Sequence, residues 1–178
     1  MKKITSWILP LGIAVILGLL VSKLILGSMS SPSPESGSFG EAPRFHLVGV
    51  NGESIDLDAL KGKGVIVNFW ATWCGPCKAE IPAMIELQKK YQNDFTFIGL
   101  AVNDTEEKVN YYIQQDGINY PIAMDNGIGQ NYSRLLKGGM RGIPTSFVIN
   151  KTGKIIEVRI GTATKDELET MIQQSISN

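Results

Sequence analysis

The sequence predicts an α/β domain in which a β-sheet carries helices on both faces. Two observations support this fold class. Short apolar, β-branched runs that suit buried strands alternate with segments of helical pattern, and the chain closes on a hairpin followed by a helix. A length of 178 residues is enough for one domain with its own core, together with appendages.

The N-terminal segment is predicted to be a membrane anchor. Residues 4–26 are mostly apolar and carry no charge apart from Lys23, and as a helix they would reach about 34 Å, enough to cross a hydrocarbon layer of about 30 Å. Lys2 and Lys3 precede the apolar run, which favours a cytoplasmic position for residues 1–3 and an extracytoplasmic position for the rest of the chain.

A cleaved signal peptide is the alternative, because the small residues Gly27, Ser28 and Ser30 would suit a cleavage site. The apolar run exceeds the usual length of a signal peptide, which favours the anchor. The Ser-, Pro- and Gly-rich composition of residues 27–41 predicts a flexible tether, so the folded domain is expected over residues 42–178.

The first predicted elements form a hairpin, a strand and a helix. Strands at Phe45–Val48 and Ser54–Leu57 flank Asn51-Gly52, a dipeptide typical of hairpin turns. The run Val65–Trp70 suits a buried central strand, and a helix is predicted from Gly75 to Tyr91.

A second strand and helix follow, and then a series of shorter elements. The strand is predicted at Phe95–Val102, and the helix begins with Asp104 as its cap and Glu107 in the capping-box position, ending near Gly117. The later elements begin with an extended piece at Pro121–Met124 and a short helix at Ile128–Leu136. They continue with a hairpin of Thr145–Ile149 and Ile155–Ile160, and with a last helix that a capping box of Thr164 and Glu167 opens and that ends at about Ile176.

Cys74 and Cys77 are the only cysteines in the chain, and their spacing allows them to form a disulfide with each other. A Cys-x-x-Cys between a strand and a helix is typical of thiol–disulfide exchange. The helix N-terminus favours a thiolate at Cys74, the expected nucleophile, and Cys77 one turn later is the expected resolving thiol. A zinc half-site is the alternative, but zinc needs four ligands and His46 is the chain's only histidine.

Residues 67–78 (Val-Asn-Phe-Trp-Ala-Thr-Trp-Cys-Gly-Pro-Cys-Lys) and Gly142-Ile143-Pro144-Thr145 resemble the active-site motif and the cis-proline loop of thioredoxin-fold proteins. The resemblance over residues 42–178 is closer to the membrane-tethered ResA/TlpA type, which reduces disulfides to thiols during cytochrome c maturation and related processes. The closer features are the N-terminal hairpin, Leu60-Lys61-Gly62-Lys63, Glu80 and the segment Asn103–Asp125.

This resemblance implies a thioredoxin-like fold with a central mixed β-sheet flanked by helices, an N-terminal β-hairpin, and an insert between the second strand and the following elements. It also implies a role for Glu80 in accepting or returning the proton of Cys77. Cytoplasmic thioredoxins have a buried aspartate where this chain has Asn68, which leaves Glu80 as the expected proton-handling group.

The resemblance further implies a docking surface for substrate beside Cys74. Pro144 would follow a cis peptide bond, and the backbone of Ile143 would pair with an extended substrate segment. Trp73, Gly75 and Pro76 would form the rest of the surface.

The expected function is that of a thiol–disulfide oxidoreductase that reduces disulfides of exported proteins such as apocytochrome c. The Gly75-Pro76 pair between the cysteines is that of thioredoxin, which favours reduction. The resemblance implies that a membrane electron donor passes reducing equivalents from cytoplasmic thioredoxin. A thiol peroxidase, a general disulfide oxidase or isomerase, and a redox-inert binding module remain alternatives.

Neither a cofactor nor a metal is expected. The sequence holds 17 basic and 17 acidic residues without a basic run, which argues against nucleic acid as a partner.

Overall fold

A computed structural model describes residues 39–177. Its seven strands are β1 to β7 in chain order, and their bounds are His46–Val48, Ser54–Asp56, Gly64–Trp70, Phe95–Ala101, Ile122–Met124, Thr145–Ile149 and Ile155–Ile160. Its four α-helices are α1 to α4, and their bounds are Gly75–Tyr91, Glu106–Asp116, Ile128–Ser133 and Lys165–Ser177. A short 3₁₀ helix, Asp58–Leu60, follows β2.

Five strands form one mixed sheet in the order β5-β4-β3-β6-β7. Strands β3, β4 and β5 are parallel, whereas β6 is antiparallel to both β3 and β7. Strands β1 and β2 form a separate antiparallel hairpin. This is the thioredoxin-like arrangement with an N-terminal hairpin that the resemblance implies.

Strand β3 is the centre of the sheet, and all seven of its residues are buried. Because side chains alternate between the two faces of a strand, β3 contributes to both cores. Ile66 and Trp70 pack with α1, α2 and α4, whereas Val67 and Phe69 pack with α3 and the hairpin. Helices therefore cover both faces of the sheet, as predicted.

Helix α4 approaches the start of β3 closely. A Cβ atom at Gly64 would collide with the side chain of Ser175, so glycine permits this contact. Helix α4 itself opens with the predicted capping box, because Thr164 and Glu167 exchange hydrogen bonds between side chain and backbone. This capping box fixes the chain between β7 and α4.

The cap predicted for α2 was wrong. The N-cap is Thr105, whose Oγ1 accepts a hydrogen bond from the Lys108 amide at 3.4 Å. Asp104 instead accepts hydrogen bonds from the amides of Thr105 and Thr72. Both residue types are good caps, and the contact with Thr72 decides between them.

Helix α3 is also shorter than predicted. It ends at Ser133, and the amides of Leu135 and Leu136 bond three residues back in the manner of turns. The predicted anchor at residues 4–26 lies outside the described residues. Within residues 39–177, no helix has the length and apolar character needed to cross a bilayer.

Candidate active site at the start of helix α1

Cys74 and Cys77 form a disulfide at the point where the chain leaves β3 and enters α1. Cys74 is the N-cap of α1, and its sulfur accepts a hydrogen bond from the amide of Cys77 at 3.2 Å. Cys74 is 5% exposed, whereas Cys77 is fully buried. An attacking partner can therefore reach the Cys74 sulfur more readily than that of Cys77.

The loop before β6 faces this disulfide. The Ile143–Pro144 peptide bond is cis, in agreement with the expectation from the resemblance. The carbonyl oxygen of Ile143 lies 3.8 Å from the Cys74 sulfur. The Thr145 hydroxyl donates a hydrogen bond to the Gly142 carbonyl at 2.7 Å, which closes the loop on itself.

Trp73 is 61% exposed next to Cys74. Its ring is nevertheless held in place, because Nε1 donates a hydrogen bond to the carbonyl of Asn103 at 3.0 Å. The amide of Thr72 bonds the Asp104 carboxylate at 2.6 Å, so the loop after β4 supports the approach to the cysteines. The two loops meet because the carboxyl ends of parallel strands lie at one edge of a sheet.

The other expected docking residues lie around the disulfide. Gly75 and Pro76 are exposed in the first turn of α1, Ile143 is half-buried and Pro144 is buried. An open groove of about 490 Å³ extends from Ile143 toward α3. It is lined by Val102, Asn103, Asp125, Gly129, Gln130, Ser133, Arg134, Met140, Gly142 and Ile143.

Glu80 is a buried carboxyl group on α1, only 3% exposed and one turn beyond Cys77. Oε1 accepts a hydrogen bond from the Asn68 amide group, and Oε2 accepts one from the backbone amide of Ala163, each at 3.0 Å. Burial raises the pKa of Glu80 to about 7, against the lowering influence of these two hydrogen bonds and of Arg159. The carboxyl group can thus gain or lose a proton near neutral pH.

The surroundings of Glu80 include residues that the sequence analysis did not select. Asn68 also donates to the Ser146 hydroxyl at 2.9 Å, so its amide group is shared between two partners. Ser146 and Ala163 lie far along the chain from Asn68 and Glu80. The sequence signal for Arg159 was an arginine within the apolar run Ile155–Ile160, because an arginine on a buried strand face usually has an acidic partner.

Three other candidate residues, Trp70, Lys78 and His46, are either part of the core or exposed. Trp70 is buried in the core, and Lys78 is exposed with its ammonium group 6.0 Å from the centre of the Tyr112 ring. His46 is exposed, next to Ser54 and Asp56 of the hairpin. Among the described residues, no cluster of three or more histidine, cysteine, aspartate or glutamate side chains could hold a metal ion.

Comparisons with known proteins agree with this site. The family model described as Redoxin matches residues 38–172. The thiol–disulfide oxidoreductase ResA of Bacillus cereus is 42% identical over 137 residues, which are 75% of this chain and 76% of that protein. ResA of Bacillus subtilis is 34% identical over 167 residues, covering 93% of this chain and 90% of that protein.

A solved structure shows the same fold. The crystal structure of a thiol:disulfide interchange protein of the thioredoxin family from Chlorobium tepidum matches with a TM-score of 0.74 and 37% identity, covering 83% of this chain and 99% of that one. The partners of such an enzyme are molecules that exchange disulfides with it. The disulfide at the start of α1, the fold and these similarities together show that the chain belongs to the ResA-like thiol–disulfide oxidoreductases of the Redoxin family.

Proposed function

We propose that this oxidoreductase acts outside the cytoplasm as a reductant of exported proteins, with apocytochrome c as its substrate. Residues 4–26 anchor it in the membrane, and residues 27–41 tether the catalytic domain. The similarity to ResA and the Gly75-Pro76 pair support this proposal. A reductant that releases its substrate must pass a proton from Cys77, and the buried Glu80 carboxyl is the observation that carries the mechanism.

The reaction begins with the reduced dithiol. The Cys74 thiolate, stabilised at the N-terminus of α1, attacks one sulfur of the substrate disulfide. A mixed disulfide forms between Cys74 and the substrate, and the second substrate sulfur leaves as a thiolate. Since Cys74 is the more exposed of the two cysteines, the substrate reaches it first.

Resolution requires Cys77 to lose its proton and attack the Cys74 sulfur. Glu80 lies three residues after Cys77 on the same helix, so the two side chains are neighbours on its surface. In its ionised form Glu80 accepts the Cys77 proton and returns it to the departing substrate thiolate. The products are the reduced substrate and the Cys74–Cys77 disulfide.

A pKa of about 7 suits this task because a proton acceptor works best when its pKa lies near the working pH. A carboxyl group with an ordinary pKa would be ionised but a weaker base. Burial among apolar side chains supplies the higher pKa, and the hydrogen bonds from Asn68 and Ala163 keep the carboxyl oriented.

The substrate docks on the surface around Cys74 in an extended conformation. Trp73, Gly75 and Pro76 form one side of this surface, and the backbone of Ile143 before Pro144 pairs with the substrate chain. The distance of 3.8 Å between the Ile143 carbonyl oxygen and the Cys74 sulfur supports this docking, because a strand paired with Ile143 would lie beside the reacting atom. After each cycle, a membrane electron donor returns two electrons from cytoplasmic thioredoxin to the disulfide.

Trapping of the mixed disulfide tests the proposal. Full-length Cys77→Ser, in its reduced form, is mixed with purified apocytochrome c whose haem-attachment cysteines form a disulfide. We expect a covalent one-to-one adduct at Cys74, because the resolving thiol is absent. Cys74→Ser is the matched control and should give no comparable adduct.

Two further outcomes distinguish an error in the roles of the cysteines from an error in the proposed substrate. An adduct with Cys74→Ser but not with Cys77→Ser would reverse the roles of the two cysteines. If Cys77→Ser traps a model disulfide peptide but not apocytochrome c, the exchange chemistry stands and the proposed substrate is wrong.

A further inference from the structure

The loop between β7 and α4, here called the 161–164 loop, contacts the reacting region at several points. The amide of Gly161 donates a hydrogen bond to the carbonyl of Pro144 at 2.8 Å. The hydroxyl of Thr162 donates to the carbonyl of Pro76 at 3.4 Å. The same loop therefore connects the cis-proline loop with the first turn of α1.

The next residue of the 161–164 loop reaches Glu80. The backbone amide of Ala163 donates to Oε2 of Glu80 at 3.0 Å, and Ala163 is itself buried. A displacement of the loop would remove this donor and leave the carboxylate with a single side-chain partner, Asn68. The orientation of Glu80 thus depends on what holds the loop.

Arg159, near the end of β7, holds the 161–164 loop in place. Its Nη2 donates to the carbonyl of Thr162 at 3.3 Å and to Oε1 of Glu167 at 2.8 Å. The second oxygen of Glu167 accepts from both the amide and the hydroxyl of Thr164. Arg159 therefore holds the 161–164 loop at Thr162, and Glu167 holds it at Thr164.

The side chain of Arg159 is buried, which an ion pair that only holds a surface loop would not require. Arg159 is only 8% exposed, and its Nε has no hydrogen-bond partner within residues 39–177. In the β6–β7 pairing Arg159 lies opposite Ser146, the residue that shares the Asn68 amide with Glu80. The guanidinium therefore lies on the Glu80 side of the sheet, where a positive charge stabilises a buried carboxylate.

We propose that Arg159 is a positioning residue for Glu80: with Glu167 it fixes the 161–164 loop over the carboxyl group, and its charge stabilises the ionised form. This inference rests on the proposed transfer of the Cys77 proton to Glu80. It adds a group that acts through Glu80 and does not touch the substrate.

The groups that surround Glu80 agree with this assignment. Asn68 of β3 is a neutral hydrogen-bond donor to Glu80 and also donates to Ser146 of β6, and Arg159 of β7 lowers the pKa of Glu80. Tyr120, just before β5, stays neutral because burial and the charge of Glu80 both raise its pKa. The charge of Arg159 thus counteracts part of the rise in the Glu80 pKa that burial causes.

The first test measures the Glu80 titration directly, by carbon NMR of the oxidised full-length chain with labelled glutamate. The Glu80 signal is assigned from its loss in Glu80→Gln. We expect Arg159→Gln to move the midpoint upward from about 7 and Arg159→Lys to restore it largely. Arg44→Gln removes the same charge from an exposed pair with Asp58 and should leave the midpoint in place.

Glu167→Gln tests the hold on the 161–164 loop, because glutamine has one acceptor oxygen and cannot bond both Arg159 and Thr164. The amide of Ala163, which donates to Glu80, should then exchange with solvent faster than in the wild type. Because Glu167 is substantially exposed, this variant should fold even where Arg159→Gln does not. An unchanged exchange rate of the Ala163 amide in Glu167→Gln, or an unchanged Glu80 midpoint in Arg159→Gln, would overturn the inference.

The second test asks whether Arg159 acts through Glu80. Arg159→Gln should slow resolution of the mixed disulfide at neutral pH by up to about 100-fold, the loss that a misplacement of about 1 Å can cause. In the Glu80→Gln background the same substitution should have little further effect. Equal effects in both backgrounds would show a general structural role and overturn the inference. If Glu80→Gln alone leaves resolution unchanged, the proposed proton transfer fails instead.

Discussion

The side-chain amide of Asn68 donates a hydrogen bond to Oε1 of Glu80 at 3.0 Å, across the interface between β3 and α1. Both residues are 3% exposed, so this contact is closed to bulk water. Asn68 cannot ionise, and Glu80 is therefore the group of this pair that can exchange a proton.

Glu80→Gln should slow mixed-disulfide resolution while the fold is retained, because glutamine keeps the size of the side chain but cannot accept the Cys77 proton. The loss should be up to about 10²–10⁴-fold, the usual contribution of general acid–base catalysis. Stopped-flow measurement of resolution against pH checks this. The wild-type profile should show a step near pH 7 that is absent from the variant. Identical profiles would mean that water, and not Glu80, accepts the proton of Cys77.

The stability of the domain should depend on pH through Glu80. Its pKa is raised from 4.5 to about 7 in the folded state, so the folded chain holds this proton more tightly than the unfolded chain. The stabilising effect is complete below about pH 4.5 and is lost as pH rises through about 7, at a cost of about 3 kcal/mol.

Urea unfolding of the wild type and of Glu80→Gln at several pH values checks this sign. The advantage of the variant in free energy of unfolding should grow between about pH 4.5 and about pH 8. A difference that stays constant over this interval would contradict the raised pKa.

Asn68→Asp should place a second carboxyl group within hydrogen-bond distance of Glu80. Two carboxylates in one buried site resist joint ionisation, so one apparent pKa of the pair should rise well above that of Glu80 alone. The pH profile of resolution should move to higher pH. Asn93→Asp, at an exposed position, is the control and should leave the profile unchanged.

The reduction potential of the Cys74–Cys77 pair should lie nearer to that of thioredoxin, about −270 mV, than to that of DsbA, about −120 mV. The Gly75-Pro76 pair is the reason for this expectation. Equilibration of the full-length protein with glutathione buffers measures the potential. A value close to that of DsbA would indicate an oxidase and contradict the reductant role.

The protein should remain in the membrane fraction after alkaline carbonate extraction of expressing cells, at its full-length mass. The apolar residues 4–26 behind Lys2 and Lys3 are the basis of this prediction. Recovery of a soluble form that begins near Ser28 would show that a signal peptide is cleaved instead.

Much of the fold could be predicted from local sequence patterns. The helix Gly75–Tyr91 and the strands Thr145–Ile149 and Ile155–Ile160 have the predicted bounds, because periodicity, proline position and turn residues specify them within a short window. The Cys74–Cys77 disulfide was also predictable, since both cysteines lie within one turn of chain.

The choice between Asp104 and Thr105 as the cap of α2 was not predictable in this way. Either side chain can cap a helix, and the residue that does so depends on the amide of Thr72, which comes from another strand end. A local pattern cannot contain that information.

The sequence by itself determined most of the strands and helices, the redox pair at the start of a helix, and Glu80 one turn beyond it. Only the tertiary structure decided which groups surround Glu80, because the order of strands β3, β6 and β7 and the loop that follows bring Ala163 and Arg159 toward it and bring Ser146 to its partner Asn68. The physical reason is that burial and hydrogen bonds set the pKa of a carboxyl group, and both arise from contacts between residues far apart in the chain.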